Sequence, residues 1–398
     1  MKPIFLLILA VAFSFTALAK KDKVVPFTFY GSKWSVRISD NLKSAKLDTT
    51  DIVAFDSLKI ATLLQCTLDD CMALKKEKRL NDWAYLCLLD SVSSACLGKG
   101  SKTTIMKGFL FSLSGYKVKF AIDDKREIHF LFGSKNFIYN YTYFSIDGEY
   151  YYIENHISSS MRIKTFKTTG KSLSLDMREL PLLDLKKSKP RTIKTAIKQP
   201  PLSVTVSVNL NLMHFFSQYP SSMKNYDFMT RWSMMANTPL DDYVTQQIYP
   251  VLKKQLQGLS QLEAAQRLLW WIQGRVDIEE SNPKQNCFLY AYDEDVWGHD
   301  RAFYTEETLF YPYCDSEDRV ILLSRLIRDL LGLEVVILYF PGHLSLAIHF
   351  DEEVEGASVI YNSDRFVIAD PTYIGSIIGE TMPTFDNEDP ERMILLYK

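Results

Sequence analysis

Tyr311-Pro312-Tyr313-Cys314-Asp315-Ser316-Glu317-Asp318-Arg319 heads the most regular helical segment of the chain. Across residues 315–331 the apolar positions include 320, 321, 323, 326, 327, 330 and 331, the three-and-four spacing of a helix with a buried face. Asp315 with Asp318 three residues on makes an N-cap pair. Gly332 sits where a left-handed C-terminal cap wants a glycine. Cys314 then lies just before the helix and Ser316 in its first turn. Free N–H groups and the positive end of the helix dipole gather there, and both lower a thiol pKa and hold an oxyanion. A nucleophile belongs at such a place.

A thiol nucleophile needs a base, and the base needs an orienting group. Downstream, two strands are expected over residues 334–340 and 344–350, and a third over 365–369, stopped by Asp370-Pro371 because proline cannot continue a ladder. His343 follows Pro341-Gly342 and opens the second strand, whose alternate residues are His343, Ser345, Ala347 and His349. Period two therefore predicts a small, polar face with two imidazoles against a core face of Leu344, Leu346, Ile348 and Phe350. If the second and third strands pair antiparallel, the Asp370 carboxylate reaches His343 and orients it. His349 reads as an exposed strand residue.

With these residues in view, the stretch from Trp270 to the C-terminus resembles the transglutaminase-like superfamily, relatives of the papain-fold cysteine peptidases. The features that carry the resemblance are Leu268-Leu269-Trp270-Trp271-Ile272, the Cys-Asp-Ser-Glu-Asp-Arg helix start, and Arg328-Asp329-Leu330-Leu331-Gly332-Leu333. Pro341-Gly342-His343 and Asp370-Pro371-Thr372 follow in the family's order. The resemblance covers a third of the chain and implies acyl transfer at a glutamine amide or peptide bond, with neither metal nor cofactor. His343 would be the base and Asp370 its partner. One departure stands out. In the family the nucleophilic Cys directly precedes an acidic pair like Glu317-Asp318, and that register lands on Ser316, with Cys314 two residues early. Three outcomes follow: Cys314 acts through a shifted loop, Ser316 takes over as the weaker nucleophile, or the site is inactive and binds or assembles without turnover.

Upstream, residues 50–97 and 103–113 carry helical spacing. Residues 116–122, 127–132, 139–144 and 149–153 alternate as strands, with Asp147-Gly148 a hairpin turn. Residues 103–153 and 320–372 thus share one order of elements, an apolar helix closed by Gly115 or Gly332 and then a strand meander, which reads as a degenerate internal duplication. An ungapped shift of 217 residues sets Lys99 opposite Ser316 and Arg126 opposite His343, so the first copy would have lost its chemistry. Residues 155–212 read as short strands and linkers, with a basic run from Lys186 to Lys198 taken as a solvated edge. From 213 onward the pattern turns helical, including one segment over 252–274. Asp293-Glu294-Asp295 reads as a solvated acidic loop, and Asp293, Asp295 and His299 match no metal-ligand spacing. Of the six cysteines, 66 with 71 and 87 with 96 pair as readily as they stay free.

Lys2, an apolar run over residues 4–16 and Ala17-Leu18-Ala19 read as a cleaved secretory signal. The chain is then exported, periplasmic or secreted, with no transmembrane segment after cleavage. Of 398 residues 47% are hydrophobic and 13% aromatic, enough for a packed core, and disorder is excluded. Net charge is −2, without the positive excess of a nucleic-acid binder. The expected organisation is α+β throughout: a signal over 1–19, an N-terminal domain over 20–154, a β-rich middle over 155–212, and a transglutaminase-like (papain-like) domain of helix plus antiparallel sheet over 213–398. Its partner would be a protein or peptide substrate, cell-wall peptide included.

Overall fold

The computed structural model describes residues 22–45, 57–154, 161–164, 170–196, 200–276, 286–386 and 388–397. The segment read as a signal lies outside them, as does Lys198 of the basic run. The fold is mixed α+β, built on two five-stranded antiparallel sheets. Among the described residues, no helix is long and apolar enough to cross a membrane.

Each sheet follows a helix closed by a glycine. Helix Ser101–Leu113 leads through Gly115 into a sheet whose spatial order is Thr142–Ile146, Glu149–Ile153, Ile128–Gly133, Val118–Asp123, Met161–Lys164. Helix Ser316–Leu326 and a π-helical turn Ile327–Leu331 lead through Gly332 into Ser358–Tyr361, Asp364–Ala369, His343–His349, Glu334–Phe340, Arg392–Leu395. Labelled by their order along the chain, both sheets read third, fourth, second, first, fifth. Gly332 has φ 71° and ψ 14°, the left-handed cap its position asked for. Asp147 (φ 54°) and Gly148 (φ 78°) make the expected hairpin turn with both central residues at positive φ.

Strand register refines the comparison of the two halves. Phe130 and Phe132 in the second strand of the first sheet enter the main core, as Leu344, Leu346 and Ile348 do in the second strand of the other. The two strands therefore correspond at an even shift rather than at 217, and Arg126 does not stand opposite His343.

Both faces of each sheet are covered. One apolar core runs through the molecule from Val25 to Leu396 and takes Phe120, Phe130 and Tyr152 from the first sheet, and Val335, Leu346 and Val367 from the second. The opposite faces hold smaller clusters, Ala121–Leu131–Tyr151–Ile153 in the first and Val336–Leu338–Phe340–Ala347–Phe366–Ile368 in the second. This corrects the expected polar face of the His343 strand. Ala347 is in the core and Ser345 is 1% exposed, so only the terminal His343 and His349 reach the surface.

The middle of the chain is tied to both halves. Met161–Lys164 pairs with Val118–Asp123 and belongs to the first sheet. Arg191–Lys194 and Ser203–Val206 form a hairpin, and Leu210–Ser217 is a helix spanning residue 212. Lys186, Lys187 and Lys189 are exposed, as a solvated edge requires. Arg191 departs from that reading: its guanidinium donates to the carbonyls of Leu309, Tyr311 and Cys287 and packs on Phe288. The helical segment over 252–274 is two helices, Asp242–Leu256 and Gln261–Gln273, separated where Ser260 and Glu263 form a capping box. All six cysteines lie among the described residues, and no disulfide joins them.

Gly108 lets the first helix touch its sheet. A Cβ there would stand 2.3 Å from Phe120 Cζ and 3.1 Å from Phe130, both buried rings. Gly108→Ala is expected to destabilise by about 1–3 kcal/mol through overpacking, seen as a lower urea midpoint. An unchanged midpoint would mean that the rings yield freely.

Candidate functional site

The His343–Asp370 pair is built by turn chemistry on both sides. Pro341-Gly342 closes a two-residue hairpin whose terminal pair is Phe340 with His343, which fixes His343 at the strand's mouth. Asp370 ends the neighbouring antiparallel strand. His343 Nε2 lies 2.8 Å from Asp370 Oδ2, and the two side chains are 10% and 4% exposed. Asp370 Oδ1 accepts from the Thr372 backbone N–H at 2.9 Å and its hydroxyl at 2.6 Å. Burial alone would raise the Asp370 pKa. The His343 hydrogen bond and charge, with the Thr372 donors, outweigh it and hold the carboxyl below its ordinary value. Phe385 stacks on the imidazole, centroids 5.2 Å apart and planes 9° from parallel. With Nε2–H given to the carboxylate, the neutral ring presents its lone pair at Nδ1, the atom a general base uses.

The two candidate nucleophiles fall on different sides of the helix start. Tyr313–Cys314 is a short strand pairing parallel with Leu289–Tyr290, and this register turns the Cys314 thiol inward. It is 1% exposed, its S–H faces the Leu289 carbonyl at 3.7 Å, and Sγ accepts from Arg319 Nε at 3.4 Å. Burial pushes the thiol pKa up, with Arg319 pulling only partly the other way. Asp315 is the N-cap in a capping box with Asp318, as expected, so Ser316 is the first helical residue. Its Oγ donates to Glu317 Oε2 at 3.0 Å. Among the described residues, no hydrogen bond joins His343 to Cys314 or Ser316.

Three carboxylates crowd the same helix start. Asp293, Asp315 and Asp318 are all buried, with carboxylate oxygens within 4.8 Å of one another. Asp318 Oδ1 accepts from Phe303 N at 2.7 Å, and Asp293 Oδ2 from Arg301 N at 2.7 Å. Asp315 Oδ1 is buried without a partner. Burial and mutual repulsion raise all three pKa values: Asp293 to about 6, Asp315 and Asp318 well above the carboxylate range. The acidic loop expected to be solvated thus sends Asp293 into the interior, while Asp295 and His299 take no part in the cluster.

Sequence reasoning missed three residues that hold these parts together. Arg319 is fully buried and donates through Nη1 to the carbonyls of Gln273 (2.6 Å) and Pro371 (3.4 Å). Gln273 donates in turn to the carbonyls of Asp370 and Tyr373. Phe385 covers the histidine. Only Arg319 left a signal, a charge inside an apolar-faced helix directly after Asp318. His349, as expected, sits at the strand's far end, its Nδ1 bonded to the Arg365 carbonyl at 2.9 Å. Comparison with protein-family models, with curated proteins and with solved structures finds no match.

Asp293→Asn tests the carboxylate cluster. A carboxyl whose folded pKa is raised binds more protons folded than unfolded, so its contribution to stability falls as pH rises from about 4 through about 6. Asn keeps the acceptor for Arg301 N without the charge. The variant is expected to melt a few degrees higher than the parent at pH 7–8 and at nearly the same temperature at pH 4. A lower melting temperature at pH 8 would mean that the charge is compensated.

Proposed function

We propose that this is an exported, transglutaminase-like protein whose C-terminal part binds a protein or cell-wall peptide in an acyl-transfer cleft that lacks a working thiol. The observation behind this reading is the placement of Cys314: buried, with a raised pKa and committed to Arg319 and Leu289, while a serine occupies the first helical position. A thiolate is the attacking species in this chemistry, and desolvation disfavours it at Cys314. The Ser316 hydroxyl is a far weaker acid, and its hydrogen goes to Glu317 rather than to an imidazole. What the cleft retains suits recognition: the free N–H groups of the helix start for a carbonyl oxygen, and the half-buried His343 for an amide.

The intact His343–Asp370 pair favours a second reading, a cysteine- or serine-type amidase or acyl transferase acting on the same peptides. Site-resolved iodoacetamide labelling and a Ser316→Cys variant separate the two. On the binding reading, Cys314 alkylates slowly near neutral pH and His343→Ala leaves its rate unchanged. A cysteine introduced by Ser316→Cys alkylates faster by about tenfold or more, because the helix start and His343 lower its pKa, and His343→Ala removes that advantage. Fast, His343-dependent labelling of native Cys314 would establish a thiol enzyme instead. Peptide-amide hydrolysis by the wild type that Ser316→Ala abolishes would establish a serine one.

A further inference from the structure

Two segments bring three carboxylates together in the interior. Asp293 comes from the short helix Asp293–Trp297, and Asp315 and Asp318 from the start of the helix Ser316–Leu326. All three are buried, with one oxygen of each within 4.8 Å of the others. The cationic side chains around them are committed elsewhere. Arg301 pairs with Glu307, and Arg231 with Asp300 and Glu317. His299 is exposed, with Nδ1 at the Trp297 carbonyl. Arg319 turns to the Cys314 sulfur and to the carbonyls of Gln273 and Pro371; its Nη2 has no partner, and no ion pair joins it to any of the three among the described residues. The positive end of the helix dipole, about half a unit charge, is the one opposing charge built into the helix start, and three carboxylates outweigh it.

We propose that Asp293, Asp315 and Asp318 form a binding site for a hard divalent cation, with calcium the best match. Proximity alone would not carry this. The observation that does is Asp315 itself: the residue is 8% exposed, it belongs to the cluster, and its Oδ1 accepts from no donor. A buried acceptor without a donor is uncommon, and on a carboxylate flanked by carboxylates a cation is the partner that satisfies it. The donor set fixes the class of ion. It is all oxygen, with neither imidazole nor thiol, and such ligands suit calcium, magnesium or manganese rather than zinc or copper. Calcium, held at about 2.3–2.6 Å by flexible oxygen ligands, spans the separations seen here. Backbone donors from outside the cluster orient two of the ligands: Phe303 N on Asp318 Oδ1 and Arg301 N on Asp293 Oδ2, each at 2.7 Å. Metal-ligating carboxylates are commonly held in this way. Glu317 is near enough for its charge to act on all three and offers a fourth carboxylate. A cation bound here would clamp the segment carrying Asp293 onto the helix start and relieve the repulsion among the acids.

Terbium(III) takes calcium's oxygen ligands and luminesces when a nearby aromatic ring passes it excitation. Tyr290, whose hydroxyl feels the Asp315 charge, is placed to do so. The full wild-type chain is expected to give sensitised terbium emission that micromolar to millimolar calcium chloride displaces. It is also expected to melt at a higher temperature in millimolar calcium than in EDTA, because the cation binds the folded chain alone. Asp293→Asn keeps the acceptor for Arg301 N but removes one charged ligand. It is expected to weaken calcium about tenfold or more and to lose the calcium-dependent rise in melting temperature, while in EDTA it still melts above the parent at pH 7–8. Asp295→Asn, at an exposed neighbour outside the cluster, is expected to bind like the parent. Emission that calcium does not displace, a wild-type melting temperature equal in calcium and EDTA, or calcium affinity unaltered by Asp293→Asn would each overturn the proposal and leave the cluster to protons alone. The wild-type melting comparison decides the matter even where Asp293→Asn fails to fold.

Discussion

The fully buried guanidinium of Arg319 is the interaction on which the C-terminal site is assembled. A guanidinium cannot shed its proton, so its charge must be met where it sits. Among the described residues, no carboxylate meets it within ion-pair distance. The carbonyls of Gln273 and Pro371, the Cys314 sulfur and the face of Tyr290, 5.2 Å from the ring centroid, do so instead. Those four partners come from the end of one helix, two strands and the segment just past Asp370. One side chain therefore sets the helix start against the His343–Asp370 corner. A hydrogen bond to a charged group contributes roughly 1.5–3 kcal/mol, and Cys314 is one of the acceptors. The Cys314 thiol is part of the frame.

The two sheets show how one architecture carries different chemistry past the end of its fourth strand. Both have the same strand order, a helix closed by a left-handed glycine, and a covered second face. Both end their fourth strand at an acid. What differs is the base that meets it. Lys107 is 5% exposed, and although burial works against its charge, Glu154 and Asp90 hold its pKa above the ordinary lysine value. Such a group stays protonated and acts as a strut; removing one partner from a buried ion group of this kind costs about 3–5 kcal/mol. Asp370 meets an imidazole instead, and a neutral ring bonded through Nε2–H keeps a lone pair at Nδ1.

Local pattern made a good deal of this legible. The Asp315–Asp318 cap, the Gly332 stop, the Asp147-Gly148 hairpin and the His343–Asp370 pairing each follow from neighbouring residues and the period of the element that carries them. What stayed hidden depended on partners far along the chain. Cys314 is buried because its strand pairs in parallel with Leu289–Tyr290, and no spacing near Cys314 announces that. Asp293 looked like its solvated neighbours Glu294 and Asp295 until the short helix turned it toward Asp318. The small residues after His343 read as a polar face, yet Ala347 packs in one cluster with Phe366, since both faces of the sheet are covered. The break between the helices before Trp270 depended on whether Ser260 would cap, a choice that continuous apolar spacing obscures.

The carboxylates at the helix start bear directly on whether any nucleophile can be activated there. A helix N-terminus lowers the pKa of a nearby thiol through a partial positive charge of about half a unit. Three ionised carboxylates within 4.8 Å of one another would overwhelm it. The raised pKa values of Asp293, Asp315 and Asp318 mean that protons, rather than full charges, occupy much of this cluster at neutral pH. Protonated, the cluster leaves the dipole intact and turns Asp315 into a donor beside Ser316. Ionised, it would repel an oxyanion formed on the same N–H groups. The first turn of this helix is thus governed less by the identity of residue 316 than by how many of its three acidic neighbours hold a proton.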